Sequence, residues 1–316
     1  MRTAAYRPGM HPNITHFDAV EPIVIDRGPL RGRRYRLGAA AGLRRTGLSR
    51  YVLGPGERAM PVHVHADEEE IFHVLAGSGL SWQDGRTYAI GAGDTILHLH
   101  RAEAHTLVAG EGGLDVLAFG SGSDTGMTWL PRARSWWMGP HWLPADEANP
   151  FQREADAGPL ELPEPGAERP TTIRGLDEVP EETSERGAYR ERWRRVSHAC
   201  GSEAAGLNRG VLAPESMTCP LHWHSAEDEC FVILEGEGEM QLGDERHPVG
   251  AGTVVARPAD SGVGHKLCSG PSGLTYLVYG TRVPGDYCYY PDSRKLGFGG
   301  GALFRVEPVD YWDGEE

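Results

Sequence analysis

The sequence predicts an all-β protein made of two tandem jelly-roll barrels. Short apolar strands bounded by glycine recur along it at roughly ten-residue spacing, the pattern of a sandwich or barrel. The first half of the chain is repeated in the second, which points to two copies of one unit. The composition agrees, because 43 glycines and 23 prolines in 316 residues, with no collagen-like period, suit tight turns better than long helices.

The repeat is legible residue by residue. Gly47-Leu48-Ser49-Arg50-Tyr51-Val52-Leu53 lines up with Gly206-Leu207-Asn208-Arg209-Gly210-Val211-Leu212. In the same register His63-Val64-His65 meets His222-Trp223-His224, Glu70 meets Glu229, Gly77-Ser78-Gly79 meets Gly236-Glu237-Gly238, and Gly91-Ala92-Gly93 meets Gly250-Ala251-Gly252. The second copy then gains a single residue, after which His105 meets His265 while Leu117, Gly120 and Pro131 meet Leu277, Gly280 and Pro291. The division this implies is a first barrel over 1–150, an acidic, proline-rich linker over 151–187 and a second barrel over 188–316. Within the linker, Leu160-Glu161-Leu162-Pro163-Glu164-Pro165-Gly166 disfavours both helix and inner strand, so an extended segment wrapping one barrel is expected.

Inside each copy the strands follow in order. Ile71-Phe72-His73-Val74-Leu75 runs into Ala76-Gly77, Thr95-Ile96-Leu97 follows a Gly-Asp turn, and Leu114-Asp115-Val116-Leu117-Ala118-Phe119 stops at Gly120. Phe231-Val232-Ile233-Leu234, Thr253-Val254-Val255-Ala256 and the run from Leu274 to Tyr279 repeat this, and a jelly-roll barrel is the natural closure.

Charge and cysteine usage bound the partners. A net charge of −14 argues against nucleic acid or an anionic membrane surface, and the run Arg31-Gly32-Arg33-Arg34-Tyr35-Arg36 is expected to be a solvated strand. No stretch reaches the about 18 apolar residues that span a bilayer. Met1 to Pro8 lacks the apolar core of a secretion signal. Five cysteines, Cys200, Cys219, Cys230, Cys268 and Cys288, all lie in the second half, so reduced thiols in a cytoplasmic protein are expected.

Chemistry enters with the histidines. Residues two apart on a strand share a face, so His63 and His65 can both look into the first barrel. Glu70 starts the next strand after a short turn, and His105 opens a later one; His222, His224, Glu229 and His265 stand in the same order in the second copy. Three neutral imidazoles and a carboxylate suit Fe, Mn, Ni, Co or Zn as a divalent ion, up to two per chain, with positions left open for substrate. A lone His-x-His is more often a packed or surface pair; the complete set, occurring twice in register, argues for ligation.

The string from Pro61 to Gly77 and the segment Gly91 to His105 resemble the two motifs of the cupin superfamily, as do Pro220 to Glu229 and Gly252 to His265. The stretch around Tyr276 to Arg282 and Tyr289 to Ser293 is similar to a branch of bacterial bicupins. The resemblance implies two double-stranded β-helix barrels with metal at the mouth of each. It does not deliver a reaction, since cupins include dioxygenases, decarboxylases, isomerases and binders. The first copy departs from the motif with Leu99-His100 where a proline is usual; the second keeps Pro258 but has a long loop before His265.

Other residues carry weaker expectations. His98 and His100 are read mainly as a strand and a loop histidine, with a proton relay as the sharper option. Strand parity turns His73 and Cys230 away from the metal and Phe72 and Phe231 towards it. Trp136, Trp137 and Trp142 are expected to bury against the neighbouring barrel or a second subunit. Arg50, Arg209, Arg101 and Lys266 are candidates to meet an anionic substrate near the metal. The expected partner is a small-molecule substrate, with a homodimer as the candidate assembly. The first functional reading is a non-haem metal dioxygenase or oxygenase on a small organic acid or aromatic. A non-oxidative decarboxylase or isomerase, or a non-catalytic metal or small-ligand binder, is the alternative. No catalytic side chain beyond the ligands is identifiable.

Overall fold

The structure is a computed structural model and describes residues 11–122, 126–139, 141–144, 149–299 and 301–315. The Met1 to Pro8 stretch lies outside them.

Each half folds into a large and a small antiparallel sheet, and the halves match strand for strand. In the first, the order is Ile173–Arg174, Thr95–His98, Glu70–Gln83, His105–Gly120, Gly47–Leu53, Leu30–Tyr35, Ile23–Arg27, with Arg86–Gly91 also on Glu70–Gln83. In the second it is Ile14–His16, Thr253–Arg257, Glu229–Leu242, His265–Thr281, Ala205–Leu212, Tyr189–Arg194, Glu182–Arg186, with Glu245–Gly250 on Glu229–Leu242. A four-stranded sheet faces each: Val64–His65 with Met127–Leu130, Ser135–Met138 and His141–Leu143, and Trp223–His224 with Tyr287–Tyr290, Lys295–Phe298 and Ala302–Arg305.

The central strands Glu70–Gln83 and Glu229–Leu242 bend from one part of the sheet to the next, and glycine permits the bend. Register shifts fall between Gly77 and Gly79 and between Gly236 and Gly238. A Cβ on Gly79 would collide with the Val108 carbonyl oxygen, and one on Gly238 with that of Cys268. This is the physical content of the repeated Gly-x-Gly.

Sheet membership crosses the halves at two places. Ile14–His16 lies at the start of the chain but pairs with Thr253–Arg257, in the register Ile14 to Val255. Its counterpart in the repeat, Ile173–Arg174, pairs with Thr95–His98, in the register Ile173 to Ile96. Each copy thus begins with a strand given to the other barrel. The proline-rich segment is not uniformly extended either: it holds a helix, Pro150–Asp156, capped by Asn149 accepting from Gln152 N. That helix is fastened by Glu154, fully buried, which accepts from Arg58 Nη1 at 2.7 Å and Arg132 Nε at 3.1 Å.

The described residues form three cores. One fills the first barrel, around Phe72, Ile96 and Leu107; one fills the second, around Phe231, Val255 and Leu267. The third lies between the barrels, where Leu48, Ile71, Leu117 and Phe119 meet Leu207, Cys230, Leu277 and Tyr279. These are repeat equivalents facing one another, and Phe119 and Tyr279 stack at 5.0 Å and 22°. His73 and Cys230 turn away from the metal cluster as parity requires, but outward here means towards the other barrel, so both are buried. Of the expected partners for the tryptophans, the neighbouring barrel is not the one that Trp136 and Trp137 pack on. Trp136 packs on Trp129 and Trp137 on Phe151, in the first barrel's own small sheet, and Trp136 keeps 37% of its surface exposed. The run from Arg31 to Tyr35 lies in an edge-side strand with Arg31 and Arg33 exposed, and Arg36 is the N-cap residue of the short helix that follows.

Candidate metal centres

In the first barrel His63, His65, Glu70 and His105 come together, each offering one ligand atom within 4.8 Å of the others. The backbone arranges this. His63 and His105 face each other across an isolated antiparallel bridge, while Glu70 opens the central strand with His98 as its cross-strand partner. Three Nε2 atoms point at one carboxylate oxygen: Glu70 Oε2 lies 3.1 Å from His63, 3.1 Å from His105 and 3.5 Å from His65.

The opposite ring nitrogens decide what those Nε2 atoms are. His63 Nδ1 donates to Pro61 O at 2.9 Å and His105 Nδ1 to Glu103 O at 3.1 Å. His65 Nδ1 lies 2.9 Å from Glu68 Oε1. A carbonyl or carboxylate oxygen only accepts, so each neutral imidazole carries its hydrogen on Nδ1 and bares the Nε2 lone pair. Four acceptors then converge on one point, and His65 Nε2 is buried with no hydrogen-bond partner. A divalent cation satisfies such a set; it is the donor chemistry of a histidine–carboxylate metal site. The titration behaviour expresses the same field. Burial opposes charge on His65, yet Glu68 and Glu70 outweigh it and push the ring up to about 10. Burial likewise opposes charge on Glu70, but the imidazoles of His105, His63 and His65 around it hold its carboxyl well below the usual range.

The second barrel repeats this with a shift in one member. His222, Glu229 and His265 form one group, while His224 also groups with Asp286 and Cys288. His222 Nδ1 donates to Pro220 O at 3.0 Å, and His265 Nε2 lies 2.7 Å from Glu229 Oε2. His224 faces both ways: Nε2 is 3.6 Å from Glu229 Oε2, and Nδ1 is held by Asp286 Oδ2 at 2.7 Å. That is the carboxylate–histidine arrangement that orients a ligand. His265 Nδ1 and Nε2 and Glu229 Oε2 are buried without hydrogen-bond partners, so this set also fits a cation. Burial opposes charge on His224, but Cys288, Glu229 and Asp286 raise it to about 10. A further group, His11, Glu245 and His247, includes an exposed Glu245.

The two centres diverge at the residue opposite the glutamate. Beside Glu70 stands His98, buried, stacked on His105 at 3.6 Å and 1°, its Nδ1 2.8 Å from Glu103 Oε1. Burial lowers His98 to about 3, so it is a neutral ring. Beside Glu229 stands Arg257, 4% exposed, its Nη2 donating to Val263 O at 2.6 Å and Ser261 Oγ at 3.1 Å. Its Nε–H is buried without a partner. Arg257, Glu227, Trp223 and Ser261 line a narrow crevice over His224, Glu229 and His265. Glu227 accepts from Val283 N at 3.0 Å, and burial raises its pKa. Phe72 and Phe231 pack beneath the clusters, 6.4 Å from His105 and 5.7 Å from His265.

Arg257 was missed in the sequence, although it is the repeat counterpart of His98 and so marked where the copies differ in charge. The arginines that were singled out lie elsewhere. Arg50 and Arg209 line a cavity between the barrels, Arg101 is exposed with Nε on Ala66 O, and Lys266 follows His265 on the strand with opposite parity. His100 is exposed.

Two jelly-roll barrels in one chain, each with three histidines and a glutamate turned inward, define the class as a duplicated β-barrel protein with paired candidate metal centres. The sequence matches the family described as Cupin domain over residues 49–108 and 208–277, one match in each barrel, so the chain carries two cupin domains. No curated protein matches it. Among solved structures, oxalate decarboxylase of Lactobacillus farciminis in a formate complex is similar at 15% identity and TM-score 0.58, covering 89% of each chain. A Bacillus subtilis oxalate decarboxylase studied for its Mn(II) centres is similar at 16% identity and TM-score 0.58, over 89% of this chain and 80% of that one. The same enzyme at pH 4.6 is 18% identical with TM-score 0.54, over 86% and 77%.

Proposed function

We propose that the chain is a metal-dependent enzyme that removes carbon dioxide from a small carboxylate without net oxidation, with turnover at the second barrel. The observation that carries this is Arg257, a buried guanidinium with an unused donor beside Glu229 and the histidine cluster. The oxygenase placed first from the sequence gives way to its non-oxidative alternative, because the similar solved structures are oxalate decarboxylases.

His222, His224, Glu229 and His265 would hold the ion in the second barrel, and His63, His65, Glu70 and His105 in the first. The ion supplies a Lewis acid that stabilises negative charge developing on the substrate. The protein does the rest. Arg257 Nε–H donates to the substrate carboxylate and orients it, a charge-assisted contact in a low-dielectric crevice. Glu227, whose raised pKa keeps a proton closer to neutrality, donates that proton to the carbon left when the C–C bond breaks and carbon dioxide departs. The electron pair of the broken bond becomes the new C–H bond, so no external oxidant or reductant is consumed. The crevice must widen to admit a substrate, and the loop 258–264 that closes it is the element placed to move. The first centre has neutral His98 in place of Arg257 and lacks this carboxylate anchor.

The test loads purified protein with Mn(II) and offers oxalate and other small carboxylates, following carbon dioxide release and oxygen uptake together. Release without stoichiometric oxygen uptake, reduced at least about 100-fold in Arg257→Gln, is expected. Oxygen consumed in step with substrate under Fe(II) would return the oxygenase reading.

A further inference from the structure

Between the barrels lies a cavity of about 480 Å³ that touches neither metal cluster. Its walls are paired by the internal repeat: Arg50 with Arg209, Phe17 with Leu176, and Val74 with Ile233 are counterparts in the two copies. The cavity therefore sits where the two copies face one another. Its size falls within the roughly 300–1,000 Å³ of small-molecule sites.

The two arginines are equivalent in sequence and unlike in circumstance. Arg50 is fully engaged: Nε and Nη2 donate to Asp115 at 2.8 and 2.5 Å, and its guanidinium lies 4.5 Å from the Phe17 ring centre. The repeat places Thr275 where Asp115 would answer Arg209. Thr275 carries no charge, and the Arg209 guanidinium has no hydrogen-bond or ion-pair partner among the described residues. Glu235 also reaches the cavity, but it is exposed and beyond ion-pair distance of Arg209. His73, buried against Thr95 Oγ1 at 2.9 Å, contributes a neutral ring.

A planar cation with unused donors, set among aliphatic and aromatic walls, is what holds a carboxylate attached to an apolar body. We infer that this junction cavity is a second ligand site, separate from the metal centres, that binds a small aliphatic or aromatic monocarboxylate through Arg209. Arg209 anchors the carboxylate, while Leu75, Leu234 and Leu176 cover the apolar part. With Thr275 at the position equivalent to Asp115, the guanidinium is free, and its cavity is walled by both copies, so the site belongs to the duplicated chain and not to a single barrel.

The experiment is calorimetric titration of the full chain with benzoate, after EDTA treatment so that metal-bound carboxylate does not contribute. Saturable binding of about one benzoate per chain is expected, weakened about 10-fold or more in Arg209→Met and restored in part in Arg209→Lys. Circular dichroism of both variants confirms that they fold. Inorganic phosphate, which has the charge and no apolar body, should bind more weakly than benzoate. His224→Ala, remote from the cavity, should bind benzoate as the wild type does. Absence of saturable binding, unchanged binding in Arg209→Met, equal affinity for phosphate, or loss in His224→Ala would each overturn the proposal.

Discussion

Replacing Asp286 by asparagine tests the second metal centre with a single changed atom. Asp286 Oδ2 holds His224 Nδ1 at 2.7 Å, while Oδ1 accepts from Ser225 Oγ at 3.0 Å, Ala226 N at 2.7 Å and Glu227 N at 3.2 Å. Asparagine keeps the shape and must keep its oxygen on those three donors, so its NH2 group turns to His224. An NH2 group only donates, so Nδ1 has to become the acceptor and the ring hydrogen moves to Nε2. That is the atom facing Glu229, and protonated it cannot ligate. Loss of such an orienting carboxylate costs about 10–100-fold in metal affinity, or about 1.4–2.7 kcal/mol. Competition against a chelator, with metal read by elemental analysis, should show one equivalent per chain weakened by that factor and the other unmoved. Equal weakening of both equivalents, or of neither, would refute the tautomer argument and the ligand role of His224 with it.

Three other outcomes follow from the same geometry. His65→Ala and His224→Ala should each remove about one metal equivalent per chain, and metal content unchanged in both would reject the two centres. Phe119→Ala opens a void against Tyr279 in the core between the barrels and should cost about 3–5 kcal/mol in urea unfolding; a loss below about 1 kcal/mol would mean that the barrels do not depend on that stack. His73 is lowered to about 4, by burial first and then by Arg209, against an ordinary value of 6.5. The unfolded chain therefore binds the proton that the folded state rejects. Its contribution, about 3 kcal/mol, is complete above pH 6.5 and lost as pH falls towards 4. Unfolding midpoints at pH 7.5 and 5 should converge in His73→Val, which installs the residue of the repeat; an unaltered pH dependence would count against burial as the cause.

Much of the site is legible in the sequence because its determinants are local or periodic. His63, His65 and Glu70 are fixed relative to one another by strand parity and one short turn, and the repeat supplied an independent second copy. Parity also placed Phe72 and Phe231 inward and His73 and Cys230 outward. The same period of two cannot say what lies on the outer face, which is why His73 and Cys230 were not foreseen as buried between barrels. The exchanged strands Ile14–His16 and Ile173–Arg174 were invisible for a related reason: a short apolar segment carries its own pattern but not the identity of its partner edge.

What the sequence determined by itself was the duplicated all-β plan and the histidines and glutamates of two clusters, because residue spacing along a strand is also spacing in space. What only the tertiary structure decided was the company those residues keep. Arg257 stands beside Glu229 where His98 stands beside Glu70, and Arg209 was left without the acid that Arg50 has. Those relations join strands far apart in the chain, and cross-strand register and barrel packing, not sequence distance, bring them together.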